Sequence, residues 1–168
     1  MATIENDIPV FYLQPGEVHL AQSPAVLRTL LGSCVGVTFW SSRLQLGALC
    51  HGILPRSPSG ICTAEGYRYV DFAIRDLLRQ FVDLGAERKE IEIKVFGGAD
   101  VLPLFGARSK KTTVGQQNCQ VVLEVLAIEK LVIVASDVGG SVGRTIELNT
   151  GSGEVLLRRL TRKNGQPW

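Results

Sequence analysis

A cysteine and a histidine in the first third of the chain have the types and the spacing of a nucleophile and its base. Cys34 and His51 lie 17 positions apart. The thiolate is the nucleophilic form of cysteine, and an adjacent imidazole can take the thiol proton and later give it to a leaving amine. Hydrolysis of a primary amide needs both steps, because ammonia is a poor leaving group until it is protonated. The pair therefore predicts amide hydrolysis through a thioester.

Both residues fall on or beside segments with strand character. Residues 35–40 are β-branched and aromatic, and residues 46–54 form a second apolar run that ends at Pro55. A tight turn between Ser42 and Arg43, or a loop over 41–44, would pair Cys34 directly with His51 in an antiparallel hairpin. Opposed residues share a face, with Cβ atoms about 4.5–5.5 Å apart. We therefore expect the thiol and the imidazole to lie side by side.

The residues before the cysteine suggest how a reaction intermediate is held. Gly32 and Ser33 directly precede Cys34 and allow the backbone to turn sharply. Exposed N–H groups at such a turn can stabilise the oxyanion of a tetrahedral intermediate. A hydroxyl or a carbonyl must also fix the tautomer of the imidazole.

The other cysteines and the second histidine have structural interpretations. Cysteine is among the most buried residue types, so Cys50, Cys62 and Cys119 are predicted to be core residues. Cys50 must also point away from the face that carries its neighbour in the sequence. His19 has no acidic residue beside it and is expected at the surface or at a sheet edge.

Composition limits the function classes that remain. The chain has 168 residues, a net charge of +2 and 45% hydrophobic residues. One domain over residues 1–168, without disulfide or metal, accommodates these values. The charge balance gives no support to nucleic-acid binding, no zinc-ligand spacing occurs, and no apolar run is long enough for membrane insertion. The polar, acidic start of the chain is unlike a secretory signal, so we expect a cytoplasmic protein without a cofactor.

Apolar runs of strand length alternate with two segments of helical period. One helix is predicted over Val70–Phe81, with Gly85 as its C′ residue. A second helix is predicted from an Asn118 cap to about Ile128. The fold class is α+β, a layered sandwich of mostly antiparallel β-sheet with about two helices. About eight strands are predicted: Val10–Leu20, Leu27–Leu31, Val35–Trp40, Leu46–Leu54, Ile91–Val95, Leu131–Ala135, Thr145–Leu148 and Val155–Leu160.

Several segments together resemble the CheD family of chemoreceptor glutamine deamidases. The resemblance covers roughly residues 14–161. It rests on five segments in the family's order: the nucleophile motif Thr29–Val37, the histidine motif His51–Pro55, the glycine strand end Phe96–Ala99, the helix start Val114–Asn118, and the turn Asp137–Gly140 that is followed by Gly143-Arg144.

This resemblance implies a function and a set of site residues. Members of the family convert glutamines on bacterial chemoreceptors to glutamates, on a fold similar to that of cytotoxic necrotizing factor toxins. By motif match, Cys34 is the nucleophile, His51 is the base and Thr29 is the third catalytic member. Some members carry this threonine one residue further from the cysteine, where this chain has Arg28. The cytoplasmic helices of chemoreceptors are the implied protein substrate, and the phosphatase CheC is a further implied partner.

Two other functions compete with deamidation. One is a non-catalytic regulatory module that docks on CheC and keeps the Cys-His pair as a relic. The other is a different Cys-His acyl-transfer enzyme, such as a peptidase or a transglutaminase. Under the deamidase reading, the substrate should be a glutamine on an intact receptor helix, contacted by a rim that includes Gly32, Ser33 and the Arg56–Gly60 loop.

Overall fold

Three layers stack in the order sheet, sheet, helices. The computed structural model describes residues 7–61, 63–101 and 112–161. Within these residues the chain forms nine strands and three α-helices, which confirms the predicted α+β layered sandwich. None of the described helices has the length and apolar character needed to cross a membrane.

The outer sheet has four strands and the middle sheet has five. Strand pairs are antiparallel except Val10–Tyr12 with Val26–Leu31 and Glu92–Gly97 with Ile133–Val138. In spatial order, the outer sheet is β1 (Val10–Tyr12), β3 (Val26–Leu31), β8 (Arg144–Asn149) and β9 (Val155–Arg159). The middle sheet is β2 (Val18–Gln22), β5 (Leu46–Gly52), β4 (Val35–Ser41), β6 (Glu92–Gly97) and β7 (Ile133–Val138). The helices are α1 (Thr63–Gly66), α2 (Val70–Asp83) and α3 (Val114–Ile128).

Two apolar cores separate the layers. The larger core lies between the middle sheet and the helices, and it includes Phe39, Cys50 and Ile74. The smaller core lies between the two sheets and includes Leu27 and Leu49. Successive residues of a strand point to opposite faces, so along β5 the side chains alternate between the two cores. This alternation sends His51 toward the outer sheet.

The β4–β5 hairpin forms as predicted, but in a different register. Gly36, and not Cys34, lies opposite His51, and Ser41 pairs with Leu46. The connecting loop is therefore residues 42–45, in which Gln45 adopts a positive φ of 49°. The predicted direct pairing of Cys34 with His51 is wrong by two residues. Because the shift is even, the strand parity that puts both residues on one face is preserved.

The helices confirm one predicted boundary and correct another. Helix α2 begins at Val70 and is followed by Gly85 at a φ of 94°, as its sequence indicates. Helix α3 begins five residues earlier than predicted, because Thr113 and not Asn118 is its N-cap. The Thr113 hydroxyl accepts a hydrogen bond from the backbone N–H of Gln116 in a capping box. Asn118 is therefore left inside the helix, with its side chain free for another use.

Candidate active site

The two sheets bring Thr29 of β3 against His51 of β5. Thr29 Oγ1 lies 2.7 Å from His51 Nδ1. Both side chains are buried, with 3% and 2% of their surface exposed. The contact crosses the narrow core between the sheets, because each residue occupies an inward-facing position on its strand. The chemistry of the pair predicts a hydroxyl or a carbonyl beside the second ring nitrogen, and the Thr29 hydroxyl lies there.

The backbone carbonyl of Leu13 determines which atom is the donor in the Thr29–His51 contact. Thr29 Oγ1 donates its hydrogen to the carbonyl oxygen of Leu13 at 2.9 Å. A hydroxyl has one hydrogen, so toward the imidazole Thr29 acts as the acceptor. His51 must then carry its proton on Nδ1, which leaves the lone pair of Nε2 available. The sequence gives no sign of this role for Leu13, because a backbone carbonyl has no residue type to recognise.

The surroundings of the pair favour its neutral form. Burial lowers the pKa of His51 to about 4, and the negative charge of Glu17 opposes this shift. Glu17 lies on the segment that leads into β2, where its carbonyl accepts a hydrogen bond from the His51 backbone N–H at 2.9 Å. Burial also raises the pKa of the Cys34 thiol. At neutral pH the resting pair is therefore a thiol and an uncharged imidazole.

Cys34 lies in the bend between β3 and β4, which we call the Cys34 turn (residues 32–34). Its side chain is half-buried and packs against the core between the sheets, on the side to which His51 points. Among the described residues, no hydrogen bond joins the thiol to the imidazole; the hydrogen bond of the ring goes to Thr29. The two groups share a face of the middle sheet and are offset along it.

All three carbonyls of the Cys34 turn are anchored to neighbouring segments. The carbonyl of Gly32 accepts from the Ala99 N–H at 2.8 Å, and that of Cys34 accepts from the Gly98 N–H at 2.8 Å. The carbonyl of Ser33 accepts from Asn118 Nδ2 at 3.2 Å. The N–H groups of Gly32 and Ser33 have no backbone acceptor within the described residues. In the part of the chain that the structure describes, these two N–H groups are therefore available as donors, as an oxyanion site would require.

Glycines allow the next strand end to approach this turn closely. A Cβ on Gly97 would lie 2.3 Å from the Cys34 carbonyl oxygen, and Gly97 has a φ of 99°. The Gly97 carbonyl in turn accepts a hydrogen bond from Gly139 at 2.8 Å. Buried Arg144 holds the turn after β7 by donating to the carbonyls of Asp137 and Gly139. The glycine motifs of the sequence thus converge on the residues around Cys34.

Asn118 is the site residue whose contacts sequence reasoning missed. Its side chain is fully buried, and Nδ2 donates to the carbonyls of Ser33 and Ile53, the latter at 2.9 Å. A capping role was predicted instead, because asparagine favours helix starts. The signal that could have revealed it is its spacing of three and four residues from Val121 and Val122, which places it in line with the apolar inner face of α3.

The remaining candidates lie away from this centre or beside it. Cys50 is buried in the core on the helix side, as its position next to His51 requires. Cys119 is half-buried against Gly98, and Cys62 lies outside the described residues. His19 is on edge strand β2 and stacks on Phe11 with ring centroids 4.1 Å apart. In the described part of the chain, no cluster of acidic, histidine and cysteine side chains is arranged to hold a metal.

Comparison with known proteins assigns the family. The model of the family described as CheD chemotactic sensory transduction matches residues 53–159. The chain belongs to the CheD family. The matched range begins after the Cys-His pair, so the assignment does not depend on the two residues proposed for chemistry.

Relatives in the family are similar along nearly the whole chain. One is named "Probable chemoreceptor glutamine deamidase CheD 2", from Geobacter sulfurreducens, and is 41% identical over 155 residues, or 92% of each chain. A CheD relative from Maridesulfovibrio salexigens is 37% identical and covers 94% of this chain and 96% of its own. A CheD relative from Pyrococcus horikoshii is 33% identical over 147 residues, 87% of this chain and 90% of its own.

One solved structure shows a weaker likeness. The crystal structure of the hypothetical protein YfiH from Bacillus licheniformis covers 79% of this chain and 58% of its own, with a TM-score of 0.48 and 11% identity.

Proposed function

We propose that this chain hydrolyses the side-chain amide of glutamines on chemoreceptors, yielding glutamate and ammonia. Its CheD relatives carry the name of that activity. The observation that supports the chemistry most directly is the Thr29–His51 contact, because it leaves Nε2 of a buried neutral imidazole free as a base on the face that Cys34 shares. We assign Cys34 as nucleophile, His51 as general base and acid, and Thr29 as the group that fixes the imidazole.

The first half of the reaction forms a thioester. As the carboxamide approaches, His51 Nε2 takes the thiol proton and Cys34 Sγ attacks the amide carbon. The C=O π electrons move to oxygen, and the N–H groups of Gly32 and Ser33 stabilise the resulting oxyanion. The imidazolium then gives its proton to the amide nitrogen, the C–N bond breaks, and ammonia leaves. Because the resting pair is neutral, charge separation develops only when the substrate is in place.

The second half regenerates the enzyme. His51, neutral again, takes a proton from a water molecule that attacks the thioester carbon. The oxyanion forms in the same place, the C–S bond breaks, and Cys34 leaves as a thiolate that recovers its proton from the imidazolium. The product is a glutamate side chain on the receptor.

The substrate is a protein, and this sets the location and the partners. Chemoreceptor glutamines that undergo this reaction lie on cytoplasmic helices, so we place the enzyme in the cytoplasm. We expect the receptor to contact a rim that includes Gly32, Ser33 and the Arg56–Gly60 loop, whose Arg56 pairs with Glu124 of α3. CheC remains a second partner implied by the family resemblance, and it would be tested by co-purification with this chain.

Incubation of a purified receptor cytoplasmic fragment with the protein tests this proposal. We expect ammonia release that matches, mole for mole, glutamines found as glutamates by mass spectrometry of the receptor peptides. The Cys34→Ala variant should fold and release none. A shortened fragment would indicate a peptidase, and an unchanged fragment with wild-type protein would indicate a binding module; either result would overturn the assignment.

A further inference from the structure

Asn118 links the two chain segments that carry the reactive side chains. Ser33, whose carbonyl it contacts, directly precedes Cys34, and Ile53 lies two residues after His51. The hydrogen bonds come from one amide nitrogen on α3, a helix in a different layer from the strands. The Asn118 side chain thus contacts both the segment that carries Cys34 and the segment that carries His51, and it lies on neither of them.

The contact occurs where the strand ladder stops. Pairing of β4 with β5 ends at Val35 opposite Gly52. One step further, Cys34 would face Ile53, but the chain bends away there and no β4–β5 ladder bond continues. Nδ2 of Asn118 bridges the segments at this step, with 3.2 Å to the Ser33 carbonyl and 2.9 Å to the Ile53 carbonyl. The bridge therefore sets the spacing of the two segments beyond the last ladder pair.

The chemistry of the bridge requires an amide. Nδ2 has two hydrogens, and two carbonyl oxygens accept them, so each hydrogen is used. Oδ1 is buried and has no partner within the described residues. Buried unpaired polar atoms are uncommon in proteins and often have a functional explanation. Here the two carbonyls determine the orientation of the Asn118 amide, and this orientation leaves Oδ1 without a hydrogen-bond donor in the described residues.

We propose that Asn118 is a positioning residue that holds the Cys34 thiol within reach of His51 Nε2. This inference rests on the proposed Cys-His chemistry. In this proposal α3 aligns Cys34 with His51, because the β4–β5 register alone leaves the two residues offset by two positions. Asn118 acts through the backbone of the Cys34 turn and of the segment after His51.

Replacement of Asn118 by alanine tests the proposal. Loss of the bridge should lower kcat on the receptor fragment about 100-fold, the scale that a misalignment of about 1 Å produces. KM should change little, because Nδ2 is occupied by protein carbonyls. Val122→Ala is the matched control, since Val122 is also fully buried on α3 but packs into the core on the helix side. Its thermal stability should fall while kcat is kept.

A measurement on the thiol itself separates positioning from stability and does not need the receptor. The rate of Cys34 alkylation by iodoacetamide is followed across pH, with the Cys34 peptide quantified by mass spectrometry. In Asn118→Ala the profile should coincide with that of His51→Ala, with slower alkylation near neutral pH, because the imidazole no longer lies where it can take the thiol proton as the S–C bond forms. In Val122→Ala the profile should coincide with that of wild type.

Asn118→Asp provides a conservative variant with a pH signature. An ionised carboxylate has no hydrogen to donate and would face two carbonyl oxygens, whereas the protonated acid restores one of the bonds. Burial favours the protonated form. Activity relative to wild type should therefore be higher at about pH 5.5 than at about pH 8. An activity ratio that does not change with pH would count against the bridge.

Failure of the proposed function and failure of the positioning role of Asn118 give different experimental results. If wild-type protein leaves the receptor unchanged, the proposed function is wrong, and the alkylation profiles still decide whether Asn118 couples thiol and imidazole. If Asn118→Ala keeps the wild-type alkylation profile and kcat while its melting temperature falls as in Val122→Ala, Asn118 is only structural and the inference is overturned.

Discussion

At the scale of single residues, the His51 ring is fixed by a chain of two hydrogen bonds. Nδ1–H donates to Thr29 Oγ1, and Thr29 donates to the Leu13 carbonyl. This order determines the tautomer, so the lone pair of His51 Nε2 is available before any substrate arrives. The anchored carbonyls of the Cys34 turn likewise fix the positions of the N–H groups of Gly32 and Ser33. These N–H groups have no backbone acceptor in the described residues.

Removal of the Thr29 hydroxyl should weaken catalysis without abolishing it. Thr29→Val keeps the shape of the side chain but lets the imidazole choose either tautomer, so kcat/KM should fall about tenfold, or about 1.4 kcal/mol. Thr29→Ser should retain most activity. His51→Ala removes the base and should cost about 10²–10⁴-fold. Steady-state ammonia release measures all three, and a Thr29→Val enzyme as active as wild type would contradict the role of the hydroxyl.

The low pKa of His51 should make the fold less stable in mild acid. Its pKa is about 4 in the folded protein and 6.5 as the reference value, so between these values the unfolded chain binds more protons. The free energy of unfolding should therefore fall as pH drops from about 6.5 to about 4, by about 3 kcal/mol in total from this residue. Urea titrations at several pH values in this window give the free energy of unfolding of wild type and of His51→Gln. This free energy should change less steeply with pH in His51→Gln, and the same pH dependence in both proteins would contradict the assignment.

At the scale of elements, the site depends on a strand end that approaches the Cys34 turn. Gly97 and Gly98 end β6 in left-handed conformations, and Gly98 donates to the Cys34 carbonyl. Helix α3 contributes Asn118, which donates to the Ser33 carbonyl. Together the strand end and the helix hold the backbone of the turn through its carbonyls.

A methyl group at Gly97 should disturb the site more than the same change at Gly85. Both glycines have a similar positive φ, 99° and 94°, but a Cβ at Gly85 would meet nothing within 4 Å. Gly85→Ala should cost only the conformational strain, about 1–2 kcal/mol in unfolding free energy, and keep kcat. Gly97→Ala adds a clash with the Cys34 carbonyl and should lose most activity. Equal kcat values in the two folded variants would show that the close approach is unimportant.

At the scale of the whole molecule, the site lies at one end of the stacked layers. The outer sheet supplies Thr29, the middle sheet supplies His51, and the helical layer supplies Asn118, while Cys34 is in the connection between the two sheets. Tertiary packing therefore holds these side chains together, and we expect a receptor glutamine to reach them from outside while its helix stays folded. The long, flexible side chain of glutamine suits this geometry.

An intact receptor should be a far better substrate than free glutamine. Contacts between the receptor helix and the rim provide remote binding energy that positions the amide, and free glutamine lacks them. Ammonia release is measured from both at equal glutamine concentration. We expect kcat/KM to be larger for the receptor by several powers of ten. Comparable values would indicate a metabolic glutaminase and overturn the protein-substrate assignment.

The sequence by itself determined the family motifs, the candidate residues and most of the elements. Local patterns were sufficient for this: apolar runs bounded by glycine and proline gave the strands, and the 3.6-residue period gave α2 with its Gly85 end. It also predicted that Cys34 and His51 share a face, because strand parity survives an even shift of register.

Only the tertiary structure decided how these residues meet. The loop over 42–45 moved the register by two, since several loop lengths fit the same turn residues. The Thr29–His51 contact joins two different sheets, and no local rule relates residues 22 positions apart in separate layers. Asn118 looked like a cap because its type favours helix starts, yet Thr113 takes that place and packing turns Asn118 toward Ser33 and Ile53. Contacts between layers depend on how the layers pack, which is a property of the whole chain.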